Sequence, residues 1–243
     1  MAHERGFRVL SWNIHHGVGI DGRYDLDRVI REIEAAEPDV ICLQEVDDRF
    51  ADRTEGDAQP EGMADRLGMD YAIAHALPSR LDTEGGYGNV VLVDSAIETA
   101  DTVALGPEPD DGGEPRALLA TTLVIDATSV RVWCTHLDHA AAEHRAAQIS
   151  VLERRMRTVG RPAVLAGDLN ATAGATELSP LRERLRDPFD DPDDPATFPA
   201  PAPERRIDHL LVDPRRIRVT AATVLETAAS DHRPVVADLV LTR

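Results

Sequence analysis

Five apolar runs in this chain each end on, or lead into, side chains that can do chemistry: Asn13 after VLSW, Glu45 after VICLQ, His136 after VWCT, Asp168 and Asn170 in AVLAGDLNAT, and Asp231 with His232 in SDHRPVVADL. A β-branched run without polar alternation suits a strand buried on both faces, so a polar residue at its end emerges at a sheet edge. Carboxylate and amide oxygens suit a hard divalent cation. A histidine beside an acid can take a proton from water near neutral pH. Together these groups point to cation-assisted hydrolysis of a phosphate ester.

Each motif also has a plainer reading. A glutamate at a strand end is often a solvated edge charge, and Asn13 can cap the chain reversal before Gly17. GDLN can be an Asx-type turn or a helix cap, although Gly167 allows close backbone approach and Asp168 and Asn170, two residues apart, can point the same way. Hydrolysis needs an in-line nucleophile, neutralised non-bridging oxygens and a stabilised leaving oxygen. His232 is the candidate for activating water, with Asp208 of RIDHLLV holding its tautomer. His136 and Asn170 are candidates for bonding the phosphoryl oxygens, and Glu45 for placing Mg²⁺ or Mn²⁺. Arg116 can clamp a substrate anion or simply begin a strand at the surface. Tyr87 and Asn89 are further candidates of that kind.

The elements that must position these groups alternate. Residues 7–13 and 39–45 are predicted strands joined by a helix whose apolar positions Leu26, Val29, Ile30 and Ile33 recur at helical spacing and stop before Pro38. A second helix is expected near 62–67, then strands at 71–74 and in GNVVLVD. Strands at 99–105, 117–125 and 130–136 are expected to form an antiparallel meander. A long helix over 140–159 leads into a strand at 162–167, and ATELSPLRERL predicts a shorter helix. The Pro-rich, acidic stretch 187–205 is expected to be a surface loop, a mobile rim rather than a catalytic element. Strands in RIDHLLVD, RIRVTAATVL and PVVADLVL close the chain. This order suits an α/β sandwich.

Composition narrows the class. The 243 residues are read as one domain, 1–243, and 42% apolar with 29% charged residues is ordinary for a globular protein. Residues 1–13 hold no apolar signal core and no run approaches transmembrane length, so a cytoplasmic location is expected. Cys42 and Cys134 sit in apolar runs, as small buried hydrophobes do. The formal charge of −18 argues against a nucleic-acid partner held through many phosphates, and every basic residue other than histidine is Arg. The pairs Arg154 and Arg155, Arg205 and Arg206, and Arg215 and Arg216 are the visible contributors to any basic face. His139 and His144 are taken as surface residues.

In order along the chain, WNI, QE, THL, GDLN, RIDH and SDHRP resemble the motifs of the endonuclease/exonuclease/phosphatase superfamily, which includes pancreatic-type deoxyribonucleases, apurinic-site endonucleases, neutral sphingomyelinases and inositol polyphosphate 5-phosphatases. The resemblance implies a four-layer α/β sandwich of two mixed, mostly antiparallel sheets, and a divalent cation, usually Mg²⁺. It implies that Asn13 and Glu45 belong to the metal site and that Asp231 completes the metal or water site. Asp168 and Asn170 would orient nucleophile and phosphate, His136 would touch phosphate, and Asp208 would pair with His232. Many nuclease members carry an acid two residues after the first-motif Asn, where this chain has His15 followed by His16. NIHHG, YGNVVL and EPRALL are instead similar to small bacterial metal-dependent hydrolases of the superfamily. His15 and His16 are candidates for a second, softer metal or for substrate, or for bonds to their neighbours. The leading expectation is a phosphoesterase for a small or lipid-derived phosphomono- or phosphodiester. A nuclease and a non-catalytic interaction module on the same fold are the alternatives.

Overall fold

A computed structural model describes residues 6–81, 84–106, 113–156, 160–189 and 195–242. Strands β1 (Gly6–Asn13), β2 (Val40–Asp48), β3 (Asp70–Pro78), β4 (Gly86–Val93), β10 (Ile217–Val224) and β11 (Val235–Leu241) make a six-stranded sheet in the order β10-β11-β1-β2-β4-β3. Strands β5 (Ile97–Leu105), β6 (Arg116–Ile125), β7 (Thr128–His136), β8 (Ala163–Asp168) and β9 (Asp208–Val212) make a five-stranded sheet in that order. Helices α1 (Leu26–Ala36) and α2 (Gln59–Leu67) cover the first sheet, and α3 (Ala142–Met156) and α4 (Ser179–Arg182) the second. The fold is the expected four-layer sandwich. β5, β6 and β7 form the expected meander.

Strand periodicity explains why the runs are apolar on both faces. Val9, Cys42, Val91, Val132, Cys134, Val164 and Leu210 point between the sheets. Their neighbours Leu10, Ile41, Leu43 and Leu92 meet α1 and α2, and Trp133, Leu165 and Leu211 meet the other helical layer. Truncating one such leucine to alanine costs about 2–5 kcal/mol. α1 starts where Asp25 accepts the Arg28 N–H at 2.9 Å and stops at Glu37, whose φ of 48° is left-handed.

One element differs from expectation. The predicted helix in ATELSPLRERL is a 3₁₀ turn, Thr176–Leu178, followed by only four helical residues, because Pro180 has no N–H to continue the first segment. Its Leu178, Leu181 and Leu185 still reach the core. Of the long helix, residues 157–159 lie outside the described region, as do 190–194 of the acidic loop. No helix among the described residues is long and apolar enough to cross a membrane.

Candidate active site

Strand parity builds the site. Asn13, His136, Asp168 and Asp208 each sit two residues from the last inward-facing position of their strand, at 11, 134, 166 and 210, so their side chains continue the inter-sheet core as a polar edge. β1 with β2, and β7 with β8, are the parallel pairs, and the edge in question is where those four strands end. Glu45 breaks the parity rule. Alternation puts it on the face of Ile41 and Leu43, beneath the helices, but a register shift between Leu43 and Val46 and a φ of 58° at Glu45 itself turn its carboxylate into the cavity.

The cavity holds about 380 Å³ and is lined by Glu45, His136, Asp168, Asn170, Asp231 and His232, among others. Asp168 is its centre. Its Oδ2 accepts from Asn13 Nδ2 at 3.2 Å and lies 3.5 Å from His136 Nε2 and 3.7 Å from His232 Nε2, while Oδ1 accepts the Asn170 N–H at 2.9 Å. Asp208 is its direct partner across the β8–β9 ladder and lies 3.0 Å from His232 Nδ1. Asn170, at φ 51°, folds back to put Nδ2 beside His136 Nε2 and donates to the Leu137 carbonyl, both at 3.0 Å.

Charge follows from this packing. Burial pushes the Asp168 carboxyl up, and the Asp208 carboxylate opposite it adds to the effect. Burial works against a charged His232, yet Asp208, Asp168 and Asp231 together raise its imidazole to about 10. In the protein alone, then, the dyad carries a proton at neutral pH. His136 is held well below its ordinary value by burial and by Arg116. Arg116 Nη1 stands 3.2 Å from Nδ1, while Asn170 Nδ2 and Asp168 Oδ2 stand 3.0 and 3.5 Å from Nε2. Burial raises Glu45, but the His16 and His136 imidazoles and the Asn13 amide outweigh it and hold the carboxyl well below the usual carboxylate range.

The oxygen donors fit a divalent cation. Glu45 Oε1 accepts from Asn13 Nδ2 at 3.0 Å, while no hydrogen bond among the described residues reaches Oε2, whose neighbour His16 Nδ1 is 3.9 Å away. An ionised carboxylate with a spare oxygen on a cavity is a hard ligand. Asn13 turns its nitrogen, not its oxygen, toward Glu45, and its Oδ1 accepts the His15 N–H at 3.0 Å. Among the described residues, Asp168, Asp208 and His232 bring ligand atoms within 4.8 Å of one another. That trio is tied together by the His232–Asp208 contact.

The remaining candidates separate. Arg116 is 5% exposed rather than a surface residue, and its Nε is buried without a partner. Tyr87 lines the cavity with its ring 5.4 Å from Phe50. Asn89 donates to the Ala117 carbonyl of the facing sheet at 2.7 Å and so serves the sandwich. His15 and His16 stand in a left-handed 3₁₀ turn behind the cavity wall. There His15 Nδ1 is 3.2 Å from the Val18 carbonyl and 3.7 Å from Asp231 Oδ1. His139 is the expected surface residue, exposed where it lines the cavity, and His144 is half-buried 3.6 Å from Asp138.

The 187–205 stretch corrects the expectation most. Its described part clasps the dyad: Thr197 Oγ1 accepts the Ile207 N–H at 3.2 Å and the Asp208 N–H at 3.4 Å, and the Phe198 ring packs 4.7 Å from that of His232. Ala200 N–H donates to the Asp231 carbonyl at 2.7 Å. Phe50, Arg53, Arg80 and Phe198 line the cavity without having been singled out in the sequence, because loops without periodicity place them.

A family model described as the endonuclease/exonuclease/phosphatase family matches residues 10–232. A solved endonuclease/exonuclease/phosphatase from Beutenbergia cavernae is 28% identical, with a TM-score of 0.78 over 98% of this chain and 72% of its own. A mannosyl-6-phosphatase of Bacteroides thetaiotaomicron is 20% identical, with a TM-score of 0.78 over 96% and 99% of the two chains. The human Nocturnin catalytic domain with bound sulfate is also 20% identical, with a TM-score of 0.75 over 99% and 95%. The last two likenesses concern the fold. No curated protein matches the chain.

Proposed function

The chain belongs to the endonuclease/exonuclease/phosphatase family, and from that premise we propose that it is a metal-dependent phosphoesterase for a small-molecule or lipid-derived phosphomono- or phosphodiester. The observation that carries the reading is the convergence on one cavity of an imidazole–carboxylate pair, a second carboxylate 3.7 Å from that imidazole, and the ionised Glu45. The attacking water lies beside His232 Nε2 and Asp168 Oδ2 and gives its proton to His232 in the unprotonated form of that imidazole as it attacks phosphorus and displaces the leaving oxygen in line. Asp208 fixes the His232 ring by its contact with Nδ1. The His136 imidazole and the Asn170 amide supply hydrogen bonds to the non-bridging oxygens. Mg²⁺ or Mn²⁺ would be held by Glu45, with Asn13 and Asp231 beside it, and would neutralise phosphoryl charge and lower the affinity of His232 for its proton.

The placement of arginines favours a small ester over a nucleic acid. Arg206 is buried against Asp187 at 2.9 Å, Arg205 lies over the Phe198 ring, and Arg154, Arg155, Arg215 and Arg216 are not in the cavity wall. A polyanion needs a basic stripe, which those pairs do not supply. A non-catalytic module would have no use for so many converging titratable groups.

The test is hydrolysis of p-nitrophenyl phosphate, its bis ester, a phospholipid panel and plasmid DNA, with Mg²⁺ or Mn²⁺ and with chelator, against His232→Ala. Metal-dependent turnover of small or lipid esters with intact plasmid is expected. Nicking lost in the variant would make the protein a nuclease, and silence on every substrate would favour the non-catalytic module.

A further inference from the structure

One wall of the cavity is cationic in a chain of formal charge −18. Arg53 comes from the 3₁₀ turn Asp52–Thr54, Arg80 from the segment after β3, and Arg116 from the first residue of β6. Arg53 gives Nε and Nη2 to Asp47 at 2.9 and 2.7 Å and lies over the Phe50 and Tyr87 rings at 5.2 and 5.4 Å. Arg80 lies over the same Phe50 ring at 4.8 Å and has no carboxylate partner among the described residues. Arg116 meets His136 through Nη1, with Glu114 3.5 Å away, and leaves its buried Nε unpartnered.

Two guanidinium groups gathered on one ring repel each other, and Asp47 answers only one of them. Stacking on an aromatic face also fixes the guanidinium plane in advance, which lowers the entropy lost when it receives an oxyanion. The reacting phosphoryl group already has His136, Asn170 and the Glu45 side of the cavity. The surplus positive charge therefore faces whatever the substrate carries away from the reacting atom. Resting on the phosphoesterase reading above, we propose that Arg80 and Arg53, with Arg116 at their inner edge, receive a second phosphate group on the non-reacting part of the substrate. The preferred substrate is thus a compact ester carrying two phosphates, free or as a lipid head group, rather than a simple monophosphate.

The experiment is calorimetric titration at fixed Mg²⁺ with methylphosphonate and with a series of α,ω-bisphosphonates of increasing methylene spacing, for the native protein, Arg80→Gln and Arg53→Gln. Cation chelation is common to all three proteins and cancels in the comparison. The best-spaced bisphosphonate should bind the native protein about tenfold or more tightly than methylphosphonate, and either substitution should collapse that ratio toward one. A ratio near one in the native protein, or one unmoved by both substitutions, overturns the proposal. Turnover of p-nitrophenyl phosphate, its bis ester and the phospholipid panel by the same preparations separates the two readings. Turnover without the bisphosphonate preference keeps the esterase and removes the second-phosphate receptor, whereas preference with no turnover of any ester keeps the receptor and removes the esterase. Co-sedimentation with phosphatidylcholine vesicles, with and without a bisphosphorylated inositol lipid, identifies the source: Arg80-dependent capture assigns the second phosphate to a lipid head group, and its absence beside a positive titration to a soluble ester.

Discussion

Asp168 Oδ2 has Asn13, His136 and His232 within 3.2 to 3.7 Å, so its removal disturbs nucleophile and phosphate contacts together. Asp168→Ala and His232→Ala should each lower turnover of the bis-p-nitrophenyl ester by roughly two or more orders of magnitude, as loss of a base or its partner does. Far-ultraviolet circular dichroism should remain native in both, and retained activity would remove these residues from the mechanism. Glu45→Gln should raise the Mg²⁺ concentration needed for half-maximal rate, and an unchanged titration would place the cation on other ligands. Most of these residues were legible in the sequence because each terminates an apolar run. Arg53, Arg80, Phe50 and Phe198 were not, since no local pattern says which loop folds over a cavity. Asn89 was legible as polar, yet its bond to the Ala117 carbonyl depends on how the sheets face each other.

Among the elements, the β7–β8 pair sets how closely the catalytic strand ends approach. Gly167 has a φ of 152°, and a Cβ there would stand 1.9 Å from the Thr135 carbonyl oxygen. Gly167→Ala should therefore cost about 1–3 kcal/mol or more from overpacking and backbone strain, read as a lower urea midpoint with unchanged slope. A midpoint within error of the native one would show that the strands can part without penalty. Strands and helices were readable because hydrophobic periodicity reports burial. The bulge that re-aims Glu45 was not, since the same letters in a regular strand would face the helices. The 187–205 stretch was read as a rim from its Pro and Asp content, but Thr197 and Phe198 within it hold Asp208 and His232.

At the scale of the whole molecule, stability and the site draw on the same acids. Away from the cavity, Asp187 is buried between Arg206 and His209, at 2.9 and 3.3 Å. Burial opposes its charge, but His209 and Arg206 lower its carboxyl to about 2. A carboxyl depressed on folding adds stability above its ordinary value near 3.8, lost as pH falls toward 2, on the order of 2 kcal/mol here. Asp187→Asn should unfold earlier than the native protein at pH 6, with the gap narrowing steadily below pH 4. A gap independent of pH would mean that Asp187 acts through packing alone. The Asp168–Asp208 ladder pair has the opposite sign, because it sets two buried carboxylates face to face. Above the ordinary carboxyl range a carboxyl raised as Asp168 is subtracts from folding, so in chelator Asp168→Asn should melt higher than the native protein at pH 8 and lose the advantage near pH 4. A lower melting temperature at pH 8 would show that Asp168 supports the fold. Selection for thermostability alone, in a laboratory or in a hot habitat, would therefore tend to replace Asp168 by a neutral residue.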